Sequence, residues 1–83
     1  MALIQVHITA TRDQVSEPIL YRLAKDFNVV TNVRRAQVEE DYAFVAVDIE
    51  GSLPEVQRAI AWLQTTGLHI DPKERSVSDR GNL

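Results

Sequence analysis

The sequence predicts an α+β domain of the ferredoxin-like class, with two helices on one face of a four-stranded antiparallel sheet. Strand-like and helix-like patterns alternate in the order β-α-β-β-α-β along the 83 residues. Each helix pattern has one apolar stripe, so each helix needs a single partner surface. Two right-handed split crossovers with this order leave few other arrangements.

The first strand and the first helix come from two different periodicities. Residues 3–9 alternate between apolar and polar, which predicts a half-buried strand. After a polar stretch, apolar residues recur with helical spacing and predict an amphipathic helix. Ser16 is the expected N-cap, Pro18 fits the first turn, and Asn28 is the expected C-cap. The apolar stripe consists of Ile19, Leu20, Leu23, Ala24 and Phe27.

The next two strands are predicted on either side of an acidic turn at residues 39–41. From Val29 to Glu39 the apolar parity changes midway, and a bulge near Arg34-Arg35 would reconcile the two halves. The run from Tyr42 to Glu50 is apolar at both parities. Such a strand is expected to be buried on both faces.

The last helix and strand complete the predicted domain, residues 1–72. Ser52 and Glu55 form a capping box at the start of the second helix, and Gly67 is the expected C′ residue. The buried stripe of this helix is predicted to contain Leu53, Val56, Ile60 and Leu63. A short strand follows and is expected to end at Pro72. Residues 73–83 are polar and without periodicity, which predicts a disordered tail.

Composition excludes several classes of function. The formal net charge is −3 and the sequence pI is about 5.2, so we expect no attraction to nucleic acid. The chain has no cysteine, which excludes disulfides and thiolate metal sites. We expect no signal peptide and no membrane insertion, because no run of about 18 apolar residues occurs. The expected location is the cytoplasm.

The sequence offers no catalytic constellation, so we predict that the protein is not an enzyme and needs no cofactor. His7 and His69 are the only histidines and are interpreted as exposed or interface residues rather than metal ligands. Ser16 and Ser52 are better explained as helix caps than as nucleophiles. The acids of the turn, residues 39–41, are interpreted as solvated side chains.

Two features have a structural and a functional interpretation. Arg34-Arg35 could hold a ligand carboxylate or phosphate, although pairing with acids of the neighbouring strand is favoured. Trp62 is out of phase with the stripe of its helix, so it either flanks the core or packs on a partner chain. Tyr42 and Phe44 supply exposed aromatic groups of the kind that RNA-binding sheets use, but the acidic pI argues against that function.

Several segments resemble the NIL domain, over about residues 3–72. The segments are Glu17–Leu20, Leu23-Ala24, Val29–Val33, Val56–Leu63 and Gly67-Leu68. The NIL domain is best known at the C-terminus of ATPase subunits of bacterial methionine importers. The resemblance implies an ACT-like ferredoxin fold, a regulatory amino-acid site where two domains meet, and dimerisation through the sheets.

This chain departs from the motif that gives the family its name. Where that motif reads Asn-Ile-Leu, the chain has Asn32-Val33-Arg34, and Arg35-Ala36 stands where a glycine usually follows. The departure predicts a changed or lost ligand preference. The residues that the resemblance implies for ligand binding are Asn32, Val33 and Arg34.

The resemblance and the residue patterns together predict a non-catalytic regulatory module that binds a small molecule such as an amino acid. We expect a homo-oligomer, because Tyr42, Phe44 and Ala46 need cover on the face opposite the helices. The alternative is an adaptor without a small ligand. Such an adaptor would dock to a transporter or redox partner through the open sheet or through Trp62.

Overall fold

Four strands form one antiparallel sheet in the order β2-β3-β1-β4, and two helices pack against one face of it. The computed structural model describes residues 1–11 and 18–77. The elements are β1 (Ala2–Thr11), α1 (Ile19–Asp26), β2 (Val30–Val38), β3 (Tyr42–Gly51), α2 (Leu53–Leu63) and β4 (His69–Val77). The prediction of a ferredoxin-like βαββαβ fold is confirmed.

The core lies between the helices and the two central strands. Along β1 every second residue is buried, as the period of two in the sequence predicts. These residues are in register with Val45, Val47 and Ile49 of β3, so both strands present an apolar row to the helices. The largest fully buried side chains are Leu23, Ile49, Leu63, Val6, Val47 and Val56.

Helix α1 is shorter than its pattern predicts. Pro18 occupies the N-cap position without a side-chain cap, and the expected cap Ser16 lies outside the described residues. Leu23 and Phe27 are buried, whereas Ala24 of the predicted stripe is exposed. The C-cap is Phe27 in an extended conformation, one residue before the expected Asn28. The chain therefore passes directly from the helix into β2.

Strand β2 contains the predicted bulge. Val33 is in register with Val47 and Arg35 with Ala46, so Arg34 is the extra residue. A bulge reverses the alternation of side chains, which explains the change of apolar parity within this strand. The acidic turn that follows is closed by a hydrogen bond from the Glu39 amide to the Tyr42 carbonyl, at 2.7 Å.

Helix α2 follows its sequence signals at the start and less closely at its end. Ser52 is the N-cap and accepts a hydrogen bond from the Glu55 amide. The helix ends at Leu63, and the hydroxyls of Thr65 and Thr66 donate to carbonyls of its last turn. Gly67 then adopts a φ of 87°, so this glycine makes the predicted left-handed turn a few residues after the helix.

Strand β4 does not end at Pro72, and the prediction that it ends there is wrong. The strand continues to Val77, which is in register with Ala2. Proline is tolerated here because β4 is an edge strand and the register with β1 shifts between Ile4 and Val6, beside Pro72. The first five residues of the predicted tail therefore belong to β4, and residues 78–83 lie outside the described part of the chain.

Candidate functional site on the open sheet face

The sheet face away from the helices, here called the open face, carries most of the polar side chains of the strands. Three cross-strand rows run across β2, β3 and β1, with each residue in register with its neighbour. The rows are Asn32–Asp48–Gln5, Arg35–Ala46–His7 and Gln37–Phe44–Thr9. The second and third rows continue onto β4 at Asp71 and His69.

The bulge in β2 brings two consecutive arginines to the open face. In a regular strand, successive side chains point to opposite faces. Arg34 is the extra residue of the bulge, and its Nε lies 3.5 Å from Asp48 Oδ2. Arg35 is in register with Ala46, and its Cζ lies 5.5 Å from the centroid of the Phe44 ring. Both guanidinium groups therefore lie on the open face, one beside Asp48 and the other over Phe44.

Asp48 is the central acid of the open face. It is 8% exposed, and a carboxylate with so little solvent requires polar partners. Gln5 Nε2 donates to its Oδ1 at 3.3 Å, and Arg34 supplies the opposite charge. Gln5 Oε1 lies 3.3 Å from His7 Nε2, which extends the polar contacts along β1. These contacts fix the carboxylate between a cation and an amide.

Phe44 forms the apolar part of this surface, and its ring is already engaged within the chain. The His7 ring meets it edge to face, with centroids 5.1 Å apart and planes at 76°. Arg35 lies over the same ring. A ring occupied in this way is a poor stacking platform for a nucleobase, so the geometry gives no support to RNA binding.

Asp71 and the two histidines form the β4 end of the open face. Lys73 Nζ lies 2.7 Å from Asp71 Oδ2, and this contact lowers the pKa of the Asp71 carboxyl, with smaller contributions from His69 and His7. Among the side chains that the structure describes, those of residues 1–11 and 18–73, no group of three or more histidine and acidic side chains is placed to hold a metal ion.

The structure places the predicted ligand residues on two faces. Asn32 and Arg34 lie on the open face beside Asp48. Val33 is in register with Val47, so its side chain lies on the helix side of the sheet and is exposed. A ligand on the open face can therefore contact the side chains of Asn32 and Arg34, but not that of Val33.

The predicted interface residues share the open face. Tyr42, Phe44 and Ala46 alternate along β3 with residues that face the core. Tyr42 is exposed and Phe44 half-buried, whereas Ala46 is 6% exposed. Ala46 lies between Arg35 and His7 in its row, so side chains of the same chain already cover it.

A second group of contacts fixes the chain just before β2 to α2. The Asn28 amide donates to Glu55 Oε2 at 2.9 Å, and Arg58 binds the same carboxylate through Nε at 3.1 Å and Nη2 at 2.9 Å. These hydrogen bonds lower the pKa of Glu55 from its ordinary value of 4.5 to about 2. Glu55 therefore acts beyond the predicted capping box, because it joins α2 to Asn28, two residues before β2.

Gly51 permits this close approach. A Cβ at this position would lie 3.1 Å from the Asn28 carbonyl oxygen and 3.3 Å from Val29 Cγ1. The backbone of residues 28–29 thus passes directly over Gly51.

Trp62 flanks the core, as the first of its two interpretations predicts. Its ring lies 5.6 Å from that of Phe27, and the Arg22 guanidinium lies over it at 5.2 Å. Trp62 packs against the buried cluster between the helices. It does not present an unpacked ring to a partner chain.

The helix side also has exposed apolar groups and a cleft. Val33 and Val38 of β2 and Tyr21 of α1 are exposed there, and Val38 is 79% exposed. A cleft of about 420 Å³ lies between α2 and β4. Its walls come from Ile4, Gln57, Ile60, Ala61, Gln64, Pro72 and Lys73. None of the predicted ligand residues lines it.

Sequence reasoning missed Asp48, Gly51 and the full role of Glu55. Asp48 follows three apolar residues at the open-face parity of β3, and an acid in such a row is a signal that a partner cation lies nearby. Gly51 directly precedes the capping serine, and a glycine at a strand end is a signal of close backbone approach. The contact between Glu55 and Asn28 spans 27 residues and has no local signal.

The element order, the sheet order and the helix packing define a ferredoxin-like α+β domain. The family model of the NIL domain matches residues 4–72, and the chain belongs to the NIL domain family. The resemblance inferred from the sequence is confirmed. No curated protein matches the chain at a significant level.

Solved structures with the same fold have little sequence in common with this chain. The C-terminal domain of an ABC transporter ATP-binding protein from Enterococcus faecalis has a TM-score of 0.73 and 12% identity, covering 83% of this chain and 81% of that domain. The de novo designed protein Foldit4 has a TM-score of 0.63 and 11% identity, covering 93% of this chain and 97% of the design. At these identities the likeness shows the fold alone.

Proposed function

We propose that this NIL domain is a non-catalytic regulatory module that forms a homo-oligomer through the open face and binds an amino acid beside the β2 bulge. The observation that supports the proposal best is the combination of groups on that face. The open-face row of β3 carries the exposed ring of Tyr42 and the nearly buried carboxylate of Asp48, and two arginines of β2 lie against that row. The two helices pack on the other face and leave this surface for a second copy.

The charges around the bulge suit a zwitterionic ligand. A guanidinium binds a carboxylate through two parallel hydrogen bonds, and Arg34 lies at the surface in position to do so. Asp48 and the Asn32 side-chain oxygen can accept hydrogen bonds from an ammonium group. A contact from Val33 to the same ligand would have to come from its backbone, since its side chain lies on the helix side.

Light scattering on the full chain tests the homo-oligomer. We expect an oligomer at micromolar concentration, and we expect Tyr42→Glu to shift it to monomer by placing a charge on the open face. Tyr21→Glu is the matched control, because Tyr21 is an exposed tyrosine on the helix side. A wild-type monomer at high micromolar concentration would contradict the oligomer part of the proposal.

Titration calorimetry with a set of amino acids tests ligand binding. We expect at least one amino acid to bind the wild-type chain and Arg34→Gln to weaken it. The absence of heat with every amino acid would contradict the ligand part of the proposal, whatever the oligomeric state.

A second candidate function is an adaptor that docks to a transporter or redox protein without a small ligand. The exposed apolar residues Val33, Val38 and Tyr21 on the helix side favour it, because exposed apolar groups often mark protein contacts. A stoichiometric complex with a purified ATPase subunit, unaffected by amino acids and lost in Val38→Glu, is the result that this function predicts.

Two further expectations, the cytoplasmic location and the lack of enzymatic activity, stay predictions. The described helices include none that is long and apolar enough to cross a membrane. Cytoplasmic location is tested by cell fractionation, and the lack of enzymatic activity by assays on the purified chain.

A further inference from the structure

Two arginines lie at the β2 bulge. Their charges make the open face of this chain unlike a site for an apolar amino acid. Arg34 and Arg35 are neighbours in sequence and both lie on the open face, because Arg34 is the inserted residue of the bulge. Asp48 lies 3.5 Å from Arg34 and is in register with Asn32. Around the bulge the open face therefore holds two cations and the anion of Asp48, and Glu50 lies two residues farther along β3 on the same face.

These charges are available to a ligand to different degrees. Arg34 is 63% exposed, and its contact with Asp48 is a single long one through Nε. The Arg35 guanidinium lies over the face of Phe44, which leaves the edges of its planar group open to a carboxylate. An ionised carboxylate can accept about four hydrogen bonds. Asp48 therefore retains capacity for an ammonium group beyond its contacts with Gln5 and Arg34.

We propose that the patch formed by Arg34, Arg35, Asp48 and Asn32 binds an α-amino dicarboxylic acid of the aspartate or glutamate class. Each carboxylate of the ligand pairs with one guanidinium, and the ammonium group pairs with Asp48 and Asn32. This inference rests on the proposed function and names the class of amino acid that the site takes. The charges of the ligand, two negative and one positive, are opposite in sign and equal in number to those of Arg34, Arg35 and Asp48.

An apolar amino acid fits this patch less well. Its single carboxylate would satisfy one guanidinium and leave the other without an anion. Its side chain would then have to rest on the polar surface between Arg35 and Gln37, because Phe44 is already covered. An inorganic anion lacks an ammonium group, so it cannot donate a hydrogen bond to Asp48.

Calorimetry on the full-length chain distinguishes these ligands. The probes are L-glutamate, L-aspartate, L-glutamine, L-methionine, succinate and inorganic phosphate. We expect glutamate or aspartate to bind at least about tenfold more tightly than glutamine, methionine, succinate or phosphate. Loss of one charged hydrogen-bonding partner corresponds to a change in Kd of about ten- to a hundredfold.

Three variants test the residues. Arg34→Gln and Arg35→Gln should each weaken binding of the acidic amino acid by about ten- to a hundredfold. Lys25→Gln removes a cation of α1 that lies over Tyr21, and should leave binding unchanged. Circular dichroism and the melting temperature establish that each variant folds.

A deletion tests the bulge itself. Removing Arg34 or Arg35 gives the same sequence, and the register on either side of the bulge shows that the strand can then pair regularly with β3. The shortened chain keeps the pairing of β2 with β3 and loses one of the two guanidinium groups. We expect it to fold and to bind the acidic amino acid at least about tenfold more weakly than the wild-type chain.

The possible failures are distinguishable. If methionine or glutamine binds as tightly as glutamate, the inference is overturned and the proposed function stands. If phosphate or succinate binds as tightly as glutamate, the patch is a general anion site and the inference is again overturned. If no amino acid binds, both the inference and the ligand part of the proposed function fail.

Discussion

Glu55 shows how a single side chain couples distant parts of this fold. It accepts a hydrogen bond from the Asn28 amide and two from Arg58, and Arg58 lies over the Phe27 ring at 4.8 Å. The carboxylate therefore links α2 to the end of α1 and to the chain that enters β2. Any change in its charge should be felt at the start of the segment that carries the candidate site.

The first prediction concerns Glu55→Gln and its dependence on pH. The pKa of Glu55 is lowered from 4.5 to about 2 by its hydrogen bonds, so the folded state favours the charged form. The stabilisation is fully present above pH 4.5 and is lost as the pH falls through about 2. We expect a lower melting temperature for the variant at pH 7, and convergence of the two proteins as the pH approaches 2.

Thermal melts from pH 7 to pH 2 measure this difference. The control is Glu40→Gln in the exposed turn between β2 and β3, which should follow the wild-type protein throughout. A Glu55→Gln chain that melts with the wild type at pH 7 would show that the charge of Glu55 contributes nothing to stability.

The second prediction concerns Asp48, which is nearly buried between Gln5 and Arg34. Asp48→Ala leaves the Gln5 amide without its acceptor, and we expect a loss of about 1–3 kcal/mol in the free energy of unfolding. Asp48→Asn retains an acceptor oxygen and should cost less. Urea denaturation measures both, with Asp41→Ala of the exposed turn as the control. Equal stabilities for Asp48→Ala and the wild type would contradict this role.

At the scale of elements, the junction between β3 and α2 depends on having glycine, which has no side chain, at position 51. The Asn28 carbonyl and Val29 Cγ1 both lie where a Cβ on Gly51 would extend. Backbone cannot yield as a flexible side-chain end can, so an added methyl group here must displace the chain that leads into β2.

The third prediction is that Gly51→Ala lowers the free energy of unfolding by about 1–3 kcal/mol, the usual cost of an inserted group in a packed region. Where a glycine has no such neighbours, the same change stabilises by about 0.4–1 kcal/mol through the unfolded chain. Urea denaturation therefore decides the matter by the sign of the change. Stabilisation by Gly51→Ala would mean that the close approach is not maintained in solution.

The elements differ in how far the sequence could predict them. The bulge in β2 was predictable because a one-residue insertion leaves a visible change of parity from Val33 to Ala36. The end of β4 was not, because Pro72 reads as a stop unless the strand is known to lie at an edge beside a register shift. The position of a strand in the sheet is set by long-range pairing, which the local pattern does not contain.

The candidate site could also be predicted only in part. The pair Arg34-Arg35 and the acids of neighbouring strands were visible in the sequence, and pairing between them was the favoured interpretation, which the contact from Arg34 to Asp48 supports. Both guanidinium groups lie on one face because Arg34 is the extra residue of the bulge. Only the register of β2 against β3 shows which residue is the extra one.

At the scale of the whole molecule, the sheet edges are poorly suited to association. The two edge strands are β2, which carries the Arg34 bulge, and β4, which carries Pro72 beside a register shift. Bulges, prolines and charged residues at an edge hinder pairing with another strand. We therefore expect the proposed homo-oligomer to form through the open face rather than by extension of the sheet.

The fourth prediction tests this preference by crosslinking, which the sequence makes simple because the chain has no cysteine. Thr9→Cys places one thiol on the open face of the central strand β1, and Val38→Cys places one at the exposed end of edge strand β2. With a short bismaleimide crosslinker, we expect a covalent dimer from Thr9→Cys, since two open faces bring the two thiols together. Val38→Cys should give little dimer. The reverse pattern would show that the copies associate through their edges, and monomer in both variants would show that no stable pair forms at the concentration used.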